Sequence, residues 1–98
     1  MLITKNTNDN ELTLAPEGRI DSATAPEFEK ELFDSVEGIT SLVLDLKGLS
    51  YISSAGLRVL LSAQKRMNKQ GKMKLINVNE QVNEVLEITG FSEILTIE

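Results

Sequence analysis

The segment Leu42–Leu46, with the sequence LVLDL, constrains the fold of this chain more than any other. It is apolar at every position but one, which is typical of a strand covered on both faces, as in parallel sheets. Segments with helical spacing lie on either side of it, and strands that alternate with helices predict a largely parallel sheet with right-handed crossovers. The run therefore predicts an α/β fold.

The remaining segments complete a predicted order of β-β-α-β-α-β-α-β. Leu2–Thr4 is predicted to be a short strand and Glu11–Ala15, where polar and apolar residues alternate, a half-buried one. Asn6–Asn10 has the composition of a turn, so the first strand should be an antiparallel addition. We expect one mostly parallel mixed sheet of four to five strands with three or more helices.

Helix boundaries are indicated by short polar signals. Thr24 and Glu27 have the spacing of a capping box, and Pro26 falls in the first turn, where its missing N–H costs least. Gly71 and Gly90 are expected to end the second and third helices. The later elements are predicted as a helix over Ser54–Lys69, a strand over Met73–Val78, a helix over Val82–Thr89 and a short last strand over Ile94–Ile97.

Composition excludes several classes of function. The 98 residues fit one domain, 1–98, and include neither Cys nor His, so thiolate chemistry and the commonest metal ligand and general base are absent. We expect no cofactor and no metal, since no phosphate-binding or dinucleotide-binding glycine motif occurs.

Charge and hydropathy indicate where the protein acts. The net charge of −5 disfavours direct contact with nucleic acid or an anionic membrane. Met1–Asn10 lacks the apolar core of a signal peptide, and no apolar run is long enough to span a bilayer. We expect a soluble, cytoplasmic protein.

The connection Lys47–Leu57 holds the strongest functional signal. Functional groups in open α/β sheets gather beyond the carboxyl ends of the strands, and this connection brings three serines and two glycines to such a place. Ser54 would lie at a helix N-terminus, where unpaired N–H groups and the helix dipole favour an anion such as a phosphoserine. The alternative is that Ser54 only caps the helix and Gly56 only allows close packing.

The other candidate residues give a weaker indication of a functional site. A nucleophile motif is incomplete, because Gly56 fits the second glycine of Gly-x-Ser-x-Gly but Ile52 replaces the first. Without His as a base, we do not expect an enzyme. Asp45 is interpreted as a cap or turn residue, whereas Asp21 either begins a turn or belongs to the functional edge of the sheet.

The segment Leu44–Leu61, LDLKGLSYISSAGLRVLL, resembles the signature of STAS domains (sulfate transporter and anti-sigma factor antagonist). Gly18–Asp21, followed by a helix that opens near Thr24, is similar to a second landmark of the family. The resemblance implies a freestanding anti-sigma factor antagonist. Such proteins bind, when unphosphorylated, an anti-sigma factor that is also a serine kinase, and so free a sigma factor. The kinase uses ATP to phosphorylate one serine, which breaks the complex, and a serine phosphatase resets it.

The resemblance also implies the site residues. Aligned on Gly56, the family's phosphoserine corresponds to Ser54, with Ser53 as the second choice. The family often has Asp before this serine and Ser or Thr after it, where this chain has Ser53 and Ala55. The implied partner-binding residues are Asp21, Ser53, Ser54, Ala55, Gly56, Leu57 and Arg58.

Two alternatives stay open. One is a STAS subunit that does not switch and acts as a structural partner in a signalling or lipid-transport complex. Phosphorylation of Ser54 distinguishes the switching antagonist from this alternative. The other is a small enzyme that holds a phosphate-bearing ligand at the anion site, which would raise its melting temperature.

Overall fold

The computed structural model describes residues 1–98 and contains five strands and three helices. None of the helices has the length and apolar content needed to cross a membrane. In chain order the elements are β1 (Leu2–Asn8), β2 (Glu11–Ile20), α1 (Ala25–Ser35), β3 (Ser41–Asp45), β4 (Leu49–Ile52), α2 (Ser54–Asn68), β5 (Lys72–Ile76) and α3 (Glu80–Ile88), followed by a 3-10 turn (Phe91–Glu93).

The sheet is mixed and mostly parallel, which confirms the predicted fold class. Its order is β1-β2-β3-β5, and β4 pairs with β2 beyond the end of β3. β1 is the antiparallel addition, whereas β2–β3, β2–β4 and β3–β5 are parallel. β2 has ten residues because its first half pairs with β3 and its second half with β4.

The predicted order is wrong in two places. β4 lies in a segment that was expected to be a loop; only its end residues Leu49 and Ile52 are buried, so it shows neither alternation nor a continuous apolar run. The last strand is absent, because Ile94–Ile97 makes only one bridge, between Ile97 and Leu75. The chain end thus lies along β5 without extending the sheet by a full strand.

The core lies between the sheet and the paired helices α1 and α2. Leu42, Val43 and Leu44 are all buried, as the apolar run predicts. Each large apolar side chain removed from water contributes about 1.5–3 kcal/mol. The main contributors from the sheet face under the two helices are Leu12, Leu14, Leu42, Leu44, Met73 and Leu75, and those from the helices are Phe28, Leu32, Leu60 and Met67.

The turn from α2 to β5 packs tightly against the start of β3. The N–H of Lys72 donates to the carbonyl oxygen of Thr40 over 3.0 Å. A Cβ atom on Gly71 would overlap that same oxygen and would lie 2.6 Å from the Thr40 carbonyl carbon. Gly71 is therefore required here by close backbone approach.

We expect Gly71→Ala to lower the free energy of unfolding by about 1–3 kcal/mol, as overpacking of a tight contact does. Gly48→Ala is the matched control, because its new methyl group would meet mainly the side chain of Glu17, which is exposed and can move. Urea unfolding of both variants measures the difference. Equal losses would contradict the steric account.

Candidate functional site

The candidate site lies where β2 and β4 end side by side. The two strands are parallel, and Ile20 is paired with Ile52. The N–H of Ser53 donates to the carbonyl oxygen of Ile20 over 2.8 Å, so the pairing continues one residue beyond β4. Asp21 and Ser53 therefore leave the sheet at the same edge, as the sequence predicts.

The first turn of α2 gives the two serines different environments. Ser53 is the N-cap, with extended backbone (φ −94°, ψ 177°), and its hydroxyl accepts a long 3.5 Å contact from the N–H of Gly56. Its carbonyl also accepts the first helical hydrogen bond, from Leu57, at 2.9 Å. Ser54 is the first helical residue, and its exposed side chain makes no hydrogen bond within the chain. The capping role considered for Ser54 thus belongs to Ser53.

Gly56 brings α2 directly onto the strand ends. A Cβ atom at this buried position would lie 2.6 Å from Cγ1 of Ile52 and 2.7 Å from Cγ2 of Ile20. Both isoleucines are buried, so neither can move aside without disturbing the core. The close approach fixes the position of the first turn, and with it the position of Ser54.

Asp21 organises the turn that leads into α1. Its Oδ1 accepts hydrogen bonds from the N–H groups of Ala23 at 3.0 Å and Thr24 at 3.1 Å. The hydrogen bond from the backbone N–H of Thr24 has the largest effect on the pKa of Asp21, and the one from the N–H of Ala23 has the next largest. Both stabilise the ionised carboxylate, so they hold this pKa below its ordinary value.

The predicted capping box of α1 does not form. The Thr24 hydroxyl turns back toward β2, where it donates to the carbonyl oxygen of Arg19 at 2.8 Å and accepts from the N–H of Asp21 at 2.9 Å. Thr24 is still the N-cap by position, but its side chain makes no cap bond. The carboxylate of Asp21 instead accepts the N–H groups that precede the helix.

The other aspartate, Asp45, lies at the end of β3 and has the turn role expected of it. Its Oδ1 accepts from the N–H of Lys47 at 3.1 Å and from Nδ2 of Asn77 at 3.0 Å. It is separate from the pair of strands that ends at Asp21 and Ser53. No group of three or more acidic side chains is close enough to hold a metal ion.

An open groove of about 430 Å³ lies between α1 and α2 and begins at Ala55, the residue after Ser54. Small side chains, including Ala25 and Ala55, form part of its wall, and Arg58 and Lys65 place two cations along it. The predicted partner-binding residues divide by exposure. Ser54 and Arg58 are exposed, Asp21, Ser53 and Ala55 are half-buried, and Gly56 and Leu57 are buried.

Sequence reasoning missed a pair of residues beside the site. The guanidinium of Arg19 lies over the ring of Tyr51, with its carbon 4.2 Å from the ring centre. The two residues are neighbours in the β2–β4 register, so their contact depends on a strand that the sequence did not predict. Tyr51 remains 39% exposed and presents an aromatic surface next to Ser53.

Comparison with known proteins gives consistent matches over nearly the whole chain. The STAS domain family matches residues 3–98. BtrV of Bordetella bronchiseptica, a candidate anti-sigma factor antagonist, is 40% identical over 99% of this chain and 85% of its own length. The anti-sigma-B factor antagonist of Bacillus subtilis is 34% identical over 97% of this chain and 86% of its own length. A candidate anti-sigma factor antagonist of Thermotoga maritima has the same fold, with a TM-score of 0.90, 26% identity and coverage of 97% of this chain and 84% of that one.

We expect Gly56→Ala to push the first turn of α2 away from the strand ends and to lower the free energy of unfolding by about 1–3 kcal/mol. Amide chemical shifts of Ser53 to Leu57 should change most. The control is Ala55→Gly, which removes a methyl group one residue earlier. Unchanged shifts in Gly56→Ala would contradict the close approach.

The lowered pKa of Asp21 has a consequence for stability against pH. Because the folded pKa lies below the ordinary value of 3.8, the ionised carboxylate stabilises the fold above that value. This contribution is lost as the pH falls from about 3.8 through the folded pKa. Asp21→Asn should therefore reduce the loss of stability over this pH range. Carbon-13 titration of the Asp21 carboxyl measures the pKa, and a folded value at or above 3.8 would contradict the hydrogen bonding described.

Proposed function

The chain belongs to the STAS domain family, and from that premise we propose that it is an anti-sigma factor antagonist switched by phosphorylation of Ser54. In its unmodified form it binds an anti-sigma factor and so frees a sigma factor. That anti-sigma factor is also the serine kinase, which uses ATP to phosphorylate Ser54 and thereby breaks the complex. A serine phosphatase restores binding. The protein acts in the cytoplasm and is a substrate of these enzymes, with no reaction of its own.

The observation that supports Ser54 is the division of roles between the two serines. The Ser54 hydroxyl is exposed and makes no hydrogen bond within the chain, so a kinase can reach it without breaking a contact. The Ser53 hydroxyl is half-buried and caps α2, so its modification would cost the cap.

The position also suits a phosphate physically. The first N–H groups of α2 have no intrahelical acceptor, and the helix dipole is positive there, so a phosphate at Ser54 is tolerated by the fold. The same phosphate adds about −1.5 to −2 of charge to a chain with a net charge of −5. Charge added to the face that meets the partner weakens the complex without unfolding either protein.

One observation favours the non-switching alternative. Ser53 replaces the Asp that often precedes the phosphorylated serine in this family. Without that carboxylate, kinase recognition would have to rest on other groups of the same face. If it fails, the protein is a STAS subunit that serves as a structural partner in a signalling or lipid-transport complex.

An anti-sigma factor kinase, captured from cell extract with the unmodified protein as bait, provides the test. We expect Ser54→Ala to keep the affinity of the wild type and to gain no phosphate with ATP. Ser54→Asp should bind about tenfold more weakly or worse, because like charge placed against a partner costs more than about 1.4 kcal/mol. Calorimetric titration measures binding, and intact mass after incubation with ATP measures modification.

Ser53→Ala is the matched control. It should still be phosphorylated on Ser54 and should lose about 0.5–2 kcal/mol of stability through the missing cap. Phosphorylation of Ser54→Ala, or wild-type affinity in Ser54→Asp, would contradict the proposal.

A further inference from the structure

Arg58 is a free cation one helical turn after Ser54. It is exposed on α2 and takes part in none of the four ion pairs of the structure. Those pairs use the N-terminal amine, Lys5, Lys30 and Lys74. The charge of Arg58 is therefore unpaired, although Glu29 lines the same groove.

The helix geometry directs Arg58 toward Ser54. Residues four apart on a helix have Cβ atoms about 5–6 Å apart, and the Cα–Cβ bonds tilt toward the helix N-terminus. An anion at the earlier position and a cation at the later one is the favourable order, since it also agrees with the helix dipole. Arg58 lines the groove together with Ala55 and Ser22, near the start of α2, which is consistent with this direction.

No other cation has this position. Arg58 is the only Lys or Arg in the first two turns of α2. Lys65 lines the same groove but lies eleven residues from Ser54, about 16 Å along the axis. Arg19, at the end of β2, is already stacked on Tyr51.

We propose that Arg58 binds the phosphate of phosphorylated Ser54 within the same helix, and that this contact withdraws its guanidinium from the partner-facing surface. The inference rests on the proposed function for the identity of the modified residue. A guanidinium matches phosphate oxygens with two parallel N–H donors, which gives the contact a defined geometry. The modification thus changes the surface twice: it adds an anion beside the groove, and it removes a cation that a carboxylate of the partner would otherwise use.

The contact is tested on the full chain with phosphoserine incorporated at position 54 during translation, so that no kinase is needed. Phosphorus-31 titration at about 0.1 M salt measures the second pKa of the phosphate. We expect Arg58→Gln to raise that pKa by about 0.3 pH unit, the shift that corresponds to an ordinary helical ion pair at four-residue spacing.

Lys65→Gln is the matched control, because it removes the same charge from the same groove. At 0.1 M salt it should change the pKa by less than about 0.1 pH unit, since it lies beyond the screening length of about 10 Å. The nitrogen-15 signal of the Arg58 side chain should also move on phosphorylation. An equal pKa in wild type and Arg58→Gln, or an equal shift in both variants, would overturn the assignment of Arg58.

A failure of this contact can be distinguished from a failure of the proposed function. The titration uses a phosphate that has been installed by translation, so its failure overturns the Arg58 contact alone. Failure of the captured anti-sigma factor kinase to modify Ser54 would instead overturn the proposed function.

Discussion

The parallel pairing of β4 with the second half of β2 is the constraint on which the rest of the site depends. Because of this pairing, the two strands end side by side. The hydrogen bond from the Ser53 N–H to the Ile20 carbonyl connects their ends. Gly56 then lets the first turn of α2 pack onto Ile20 and Ile52. The exposure of Ser54 follows from these contacts and not from loop flexibility, because Ser53 is hydrogen-bonded to the sheet and Gly56 packs against it.

Elements with a strong hydrophobic period were predictable from the sequence, whereas those defined by a partner were not. Leu42–Leu46 was recognisable because its central residues form a continuous apolar run that is buried, and α2 was predicted to within one residue of its end. β4 was missed because only Leu49 and Ile52 are buried, and its pairing with β2 depends on a distant part of the chain. The capping box at Thr24 has the right spacing, but Asp21 and Arg19 compete for its hydroxyl.

The candidate site was predictable to a similar extent. Both Asp21 and Ser54 follow predicted strands, so the sequence could place them at one edge. It could not tell which of two adjacent serines caps the helix, since that depends on backbone conformation: Ser53 is extended and Ser54 is helical. The difference of one residue matters for the proposed function, because the Ser53 hydroxyl is bonded whereas the Ser54 hydroxyl is free.

The proposed switch is a local electrostatic event at the start of α2. The phosphate that we propose at the start of α2 would be favoured by the helix dipole and by Arg58, and it would oppose the partner only through charge. The most direct measurement is the intact mass of the protein isolated from its own cells, with mapping of any modified peptide. We expect a fraction that carries one phosphate on Ser54. A phosphate on Ser53, or none under any growth condition, would contradict it.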